Sequence, residues 1–285
     1  MVGLGAIIMY GTGAHISHSL MALRFDGELY ILESVGPVPG VRRTKFSEWI
    51  EMAQNEDFNV SWLPLKQEIR DKFDEKAAQD FFWKTNGLPY GFHNFIYGWL
   101  DTAEDNWPPL LPKTLVPIAF ELYSHFNPTE ADILFTQGLN KRLGVEGKSI
   151  PEIAALAAER KMSVDDVISM KEHDGWEYTG LEPRDGEAYV CSAYVTALYK
   201  AAGLFDDLDI QATEFTPKDV YQLDFFDTEY KRPQECVNAD PEFPYCQLMG
   251  TYKMTLPGYG TVSTYDHMNE KCPINFPTYE RDEGC

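Results

Sequence analysis

Basic side chains are scarce in this chain: 24 Lys and Arg stand against 45 Asp and Glu among 285 residues, a formal net charge of −21. No basic stripe offsets that balance, so the surface repels phosphate backbones and argues against a nucleic-acid partner. Long hydrophobic runs are missing too. None approaches the ~20 residues that a membrane span requires. The apolar opening, "MVGLGAIIMYGTG", has no basic flank and runs straight into a glycine turn. It is expected to form a first buried strand, AIIMY, rather than a secretory leader. Neither C-x-x-C nor H-E-x-x-H occurs, which removes the usual zinc signatures, and neither metal nor cofactor is expected. There is no internal repeat and no low-complexity linker, so residues 1–285 are expected to form one domain.

Cysteine is sparse and unevenly placed. Cys191 stands alone, while Cys236, Cys246, Cys272 and Cys285 fall in a tail from about 233 to 285 rich in Pro, Gly and Asn. Four cysteines in such a tail suggest two disulfides, with three possible pairings. Disulfides imply an oxidising compartment, extracellular or the secretory or lysosomal lumen, with the cytoplasm as the alternative if these thiols stay free. The sequon at Asn59 suits that setting. Cys191 is left over as an unpaired thiol.

What is present is a mixture of strand and helix patterns. "HSLMALRF" and "ELYILESV" flank Asp26-Gly27, a strong hairpin signal. "TKFSEWIEMAQ" reads as a helix capped by Thr44, "FNVSWLPL" as a strand, and Gln67–Thr85 as one amphipathic helix. "LPYGFHNFIYGWLDTAEDNWPP" has no clean period. Helical segments follow, beginning at Pro112, after an Asn127 cap, at "SIPEIAALAAERK" and at "SVDDVISM". Another helix is expected at "EFTPKDVYQL", capped by Thr216. The reading is an α+β chain with a helical insertion at about 110–180.

In "YVCSAYVTALYKAAGLF" helical spacing starts at Ser192, and Gly203 ends it. Cys191 therefore lies at a helix N-terminus, where free N–H groups and the macrodipole favour an anion and lower a thiol pKa. A thiolate nucleophile needs a base oriented by a third polar group. If Asp26-Gly27 is the turn, the register places Glu33 opposite Leu20 and Val35 opposite His18. His18 and Glu33 become diagonal neighbours on one face, within reach of long side chains. His15 has the opposite parity.

These residues resemble a known family. "SHSLMALRFDGELYILES", followed much later by "YVCSAYVTALYKAAGL", is similar to the circularly permuted papain-fold cysteine amidases and peptidases of the NlpC-like superfamily, YiiX/YaeF-type. In that branch the base precedes the nucleophile, which is the order here. The resemblance implies a permuted papain-like fold, with an antiparallel sheet packed on the cysteine-bearing helix. It makes Cys191 the nucleophile, His18 the base and Glu33 the orienting residue. Tyr90, in "GLPYGFHNFIYGW", falls where such enzymes place a tyrosine beside the cleft, and His15 is a further candidate for contact with substrate. The implied activity is hydrolysis of a peptide-like or acyl-amide substrate through a thioester. The insertion and the tail depart from the family pattern.

Three other readings compete. One is a metal site made of His15, His18 and Cys191, which the hairpin parity opposes. Another is a non-catalytic binding module using the same cleft with Cys191 merely buried. The third is an acyltransferase or lipid-active member of the superfamily, differing only in the acceptor.

Overall fold

A computed structural model describes residues 5, 6, 8, 9, 12, 14–36, 40–105 and 115–265. It is a mixed α+β structure. The positive-φ pair Asp26 and Gly27 closes a hairpin between β1 (Met21–Phe25) and β2 (Glu28–Val35), pairing Phe25 with Glu28 and Met21 with Leu32, the register the sequence predicts. β3 (Gly40–Lys45) pairs antiparallel with β2 and sets Arg42 directly opposite Glu33. The order is β1-β2-β3.

Alternation splits this sheet into two faces. Met21, Leu23, Phe25, Leu32 and Val41 enter the larger core with the helix that starts at Cys191. Ile31 takes the other face, packing against Trp49 and Ala53 of α1 (Phe46–Asn55). Thr44 belongs to β3, paired with Ile31, and so does not cap α1; Lys45 holds that position. β4 (Val60–Trp62) pairs antiparallel with β5 (Cys246–Met249) in a separate ribbon.

The expected single helix over 67–85 is two helices, α2 (Gln67–Lys72) and α3 (Glu75–Thr85). Asp74 adopts extended dihedrals, caps α3 by accepting from Ala77 N–H at 2.9 Å, and donates its own N–H to Ala202 O at 3.0 Å. A tertiary hydrogen bond and a cap together outweigh helical periodicity. At the N-terminus Gly5, Ala6, Ile8, Met9 and Thr12 are helical rather than extended. The Thr12 hydroxyl donates to Ile8 O at 2.9 Å, an i−4 bond that only a helical turn brings within reach.

The aperiodic aromatic segment forms α4 (Phe92–Asp105). It buries polar His93 and Asn94 as well as Tyr97, which explains the missing apolar stripe. The helical block follows as α5 (Leu115–Ser124), α6 (Pro128–Ala131), a π turn over Asp132–Thr136, α7 (Gln137–Leu143), α8 (Ile150–Glu159) and α9 (Val164–Ile168). Phe135, Leu139, Leu143, Ile153 and Val167 build its own apolar cluster, joined by Tyr97 of α4. The Asn127 cap is present; the start expected at Pro112 lies outside the described residues. α10 (Cys191–Ala201), α11 (Pro217–Gln222), with a Thr216/Asp219 capping box, and α12 (Gln234–Ala239) complete the elements. Cys236 is disulfide-bonded to Cys246, a bridge near the C-terminus. Cys272 and Cys285 lie outside the described residues. Among the described residues no helix is long and apolar enough to cross a membrane.

One glycine positions the site. Gly40 has φ +73°, and a β-carbon there would stand 2.0 Å from Leu88 O. Next to it Val41 N–H donates to Leu88 O and Gly87 N–H to Val41 O, both at 2.9 Å, so the segment leading to Tyr90 lies directly on β3. Gly40→Ala is expected to cost about 2–4 kcal/mol, combining the left-handed backbone with overpacking against main chain. A denaturant titration checks this, with the midpoint falling and the slope unchanged.

Candidate active site

Cys191 is the first residue of α10, following extended Val190 as N-cap. Its backbone N–H is among those a helix leaves without an intrahelical partner. Two tethers hold this start in place. Ser34 Oγ of β2 donates to Tyr189 O at 2.6 Å, and Gly91 N–H donates to the same carbonyl at 3.1 Å. A bridge between Tyr90 and Tyr189 accompanies them, which explains how residues a hundred positions apart arrive together.

His18 lies in the irregular stretch just before β1, so ladder alternation does not bind it. Its Nε2 meets Glu33 Oε2 at 3.0 Å, which leaves Nδ1 as the ring nitrogen without a carboxylate partner, and Cys191 lies close enough to act on the ring's charge. Glu33 lies on the sheet face of Ile31, opposite to the face that receives α10; His18 spans the two at the end of the sheet. The other carboxylate oxygen, Oε1, accepts from Arg42 Nε at 3.1 Å and Nη2 at 2.8 Å. The sequence reading missed Arg42. Its signal was the opposite-charge pairing of Glu33 with the first arginine of "VRRTK", legible only once the β2–β3 register is known.

The electrostatics follow from burial and charge order. Burial alone would push the Cys191 thiol up. The His18 charge and hydrogen bond, with the backbone N–H groups of Ser19 and Ser192, outweigh it and bring the thiol below its ordinary value. Burial likewise opposes the charged imidazole, but Cys191 first and Glu33 second carry His18 up to about 10. Glu33 is 3% exposed, and burial would raise it; His18 and then Arg42 hold it below the usual carboxylate range. The four groups stand in an order that alternates in charge when each is ionised: thiolate, imidazolium, carboxylate, guanidinium. The sulfur and the ring titrate as one unit.

Access is one-sided. Cys191 is 2% exposed, whereas the His18 side chain beside it keeps 35%. The Tyr90 hydroxyl also lies at the thiol. Burial and the negative sulfur hold it above its ordinary range, while the Cys191 backbone N–H, close to the same oxygen, works in the opposite direction. Cys191 N–H and the Tyr90 hydroxyl thus lie together at the start of α10, the N–H directed to the tyrosine oxygen. His15 is elsewhere: it is exposed, with Nδ1 2.5 Å from Thr255 Oγ1. Among the described residues no group of three or more His, Cys, Asp or Glu side chains could hold a metal ion. Comparison with protein-family models, with curated proteins and with solved structures found no match to this chain.

Proposed function

We propose that this chain is a cysteine hydrolase that cleaves an amide or related acyl bond, built on a permuted papain-like arrangement. The observation that carries the reading is the pairing of Cys191, at a helix start, with a His18 ring oriented by Glu33. The thiolate attacks the substrate carbonyl, forming a C–S bond. The oxyanion is received by Cys191 N–H and Tyr90 Oη. Imidazolium His18 gives its Nδ1 proton to the leaving amine as the C–N bond breaks, leaving a thioester. Water then attacks, neutral His18 takes its proton, and the acid departs as the thiolate re-forms. The Cys236–Cys246 disulfide supports a secreted or lumenal setting for this activity.

Alkylation tests the reading without knowledge of the substrate. His18 lowers the Cys191 thiol and itself keeps its proton up to about pH 10, so the thiolate persists to lower pH than in an ordinary thiol. Iodoacetamide should therefore lose less of its rate at Cys191 between pH 8 and pH 6 than it does at an ordinary thiol. An ordinary thiol, at pKa about 8.5, loses about two orders of magnitude of thiolate over that interval. Mass spectrometry of the modified peptide reads the rates. A Cys191 that stays inert at every pH would identify a sealed structural thiol and overturn the proposal.

A further inference from the structure

The β4–β5 ribbon carries a side chain of which the fold uses only one end. Asn59 stands immediately before β4, as the first residue of Asn59-Val60-Ser61. That triplet is the only acceptor sequon for N-linked sugar in the sequence, since Asn127-Pro128-Thr129 is excluded by its central proline. The surroundings set the orientation of the Asn59 amide. Its Oδ1 accepts from Tyr252 N–H at 3.0 Å, and a β-carbon on Gly250 would stand 2.0 Å from the same atom. A main-chain N–H can be met only by the oxygen of an amide, so the other limb of this group is the nitrogen. Among the described residues Nδ2 makes no hydrogen bond, and it is not closed off from water. Asn127 differs: its Nδ2 donates to Glu130 Oε2 at 2.5 Å while its Oδ1 accepts from Glu130 N–H, so both ends are engaged.

Two further features point to what takes the free nitrogen. The opposite strand of the ribbon holds Cys246, which pairs with Trp62 and is bridged to Cys236. Acceptor and disulfide therefore share one small element, and both chemistries belong to an oxidising lumen. The surface around the acceptor is also aromatic and uncovered. Phe58 precedes Asn59 and Tyr252 donates to it, and these two are 43% and 76% exposed. Large aromatic faces left bare beside an acceptor give the first sugars an apolar seat. The position is clear of the thiol. Val60 and Met249, paired across the ribbon, pack with Ile31 and Trp49, on the side of the sheet that carries α1 rather than the side that receives α10.

We propose that Asn59 is a site of N-linked glycosylation and that its glycan covers the exposed aromatic end of the β4–β5 ribbon. The donor is a lipid-linked oligosaccharide pyrophosphate. The bond from Nδ2 to the sugar C1 forms as the C1–O bond to phosphate breaks; the lipid pyrophosphate leaves with the bonding electrons, and Nδ2 releases one proton. The oxygen is untouched, so its bond to Tyr252 N–H persists in the product. This modification is independent of the cysteine-hydrolase reading and rests on the lumenal setting that the Cys236–Cys246 bridge supports.

The test expresses the full chain in animal cells behind a cleavable secretory leader, with medium and lysate read alike. Peptide-N-glycosidase F should raise the electrophoretic mobility of the product and leave an aspartate in place of Asn59, read by mass spectrometry of the peptide. Ser61→Ala keeps Asn59 and its bond to Tyr252 but removes the hydroxyl that the sequon requires, and should lose the shift completely. Ser61→Thr keeps an acceptor triplet and should keep the shift. Ser61 Oγ makes only a weak bond, to Met254 Sδ at 3.6 Å, so both variants should fold. Their Cys191 should react with iodoacetamide at the rate of the parent chain, because the ribbon lies on the other side of the sheet. An unmodified Asn59 in a chain whose leader has been removed would overturn the proposal, and so would a glycan that survives Ser61→Ala. An inert Cys191 in a glycosylated chain would overturn the hydrolase reading alone.

Discussion

Replacing Glu33 by glutamine should lower amide turnover by about 10³–10⁴-fold, although the side chain keeps its shape. The reason lies in Arg42, which donates twice to Oε1. A glutamine at this place must turn its carbonyl toward that guanidinium, which leaves its NH₂ facing His18 Nε2. An imidazole that accepts at Nε2 carries its proton on Nδ1, the nitrogen that has to receive the thiol proton. The base is then held in the wrong tautomer, a defect worth about 10⁴ in a serine-protease triad. The geometry also makes a second demand. In Glu33→Gln with Arg42→Met the amide is free to rotate and offer its oxygen to Nε2–H, so the double variant should recover about tenfold over Glu33→Gln alone. Hydrolysis of an N-acetyl amino-acid aminocoumarin amide provides the rates. A double variant no faster than Glu33→Gln would show that Arg42 does not govern the orientation.

His18→Ala should have the larger effect on the sulfur itself. Without the imidazole, burial becomes the main influence on Cys191, countered by the Ser19 and Ser192 backbone N–H groups and the neighbouring Tyr90 hydroxyl. The thiol then moves upward, to or above its ordinary value, and becomes protonated throughout the mildly acidic range. Iodoacetamide modification at pH 6 should fall by about two to three orders of magnitude, and amide hydrolysis should become undetectable. The pH profile separates loss of the base from misfolding. A correctly folded variant regains alkylation as pH rises past about 9, whereas an unfolded one behaves as a free thiol with a midpoint near 8.5.

Much of this arrangement was legible in the sequence because it depends on local signals. Asp26-Gly27 fixes the turn and the turn fixes the register from Met21 to Leu32, while His18 meets Glu33 from the irregular stretch just beyond that ladder. The α10 start was legible from the spacing of Val195, Leu198 and Tyr199, with Gly203 beyond it at φ +79°. Where tertiary partners decide, the sequence carried less. Asp74 breaks a periodic helix to reach Ala202, a residue more than a hundred positions away. The N-terminal stretch has a strand-like composition and is helical at its described residues. α4 conceals its period because Asn94 is buried for a hydrogen bond to Glu172 rather than for apolar contact. Arg42 was missed because the β2–β3 connection, unlike Asp26-Gly27, has no turn signature that sets the pairing.

The charge order at α10 has a corollary for how this molecule reports its own integrity. Most buried cysteines are shielded in the native state and become reactive when the chain opens. Cys191 owes the lowering of its thiol to a ring 173 positions earlier in the sequence, so denaturation returns it to an ordinary thiol. Below neutral pH, a pulse of electrophile should therefore mark intact molecules and spare unravelled ones, the reverse of the usual cysteine-protection experiment.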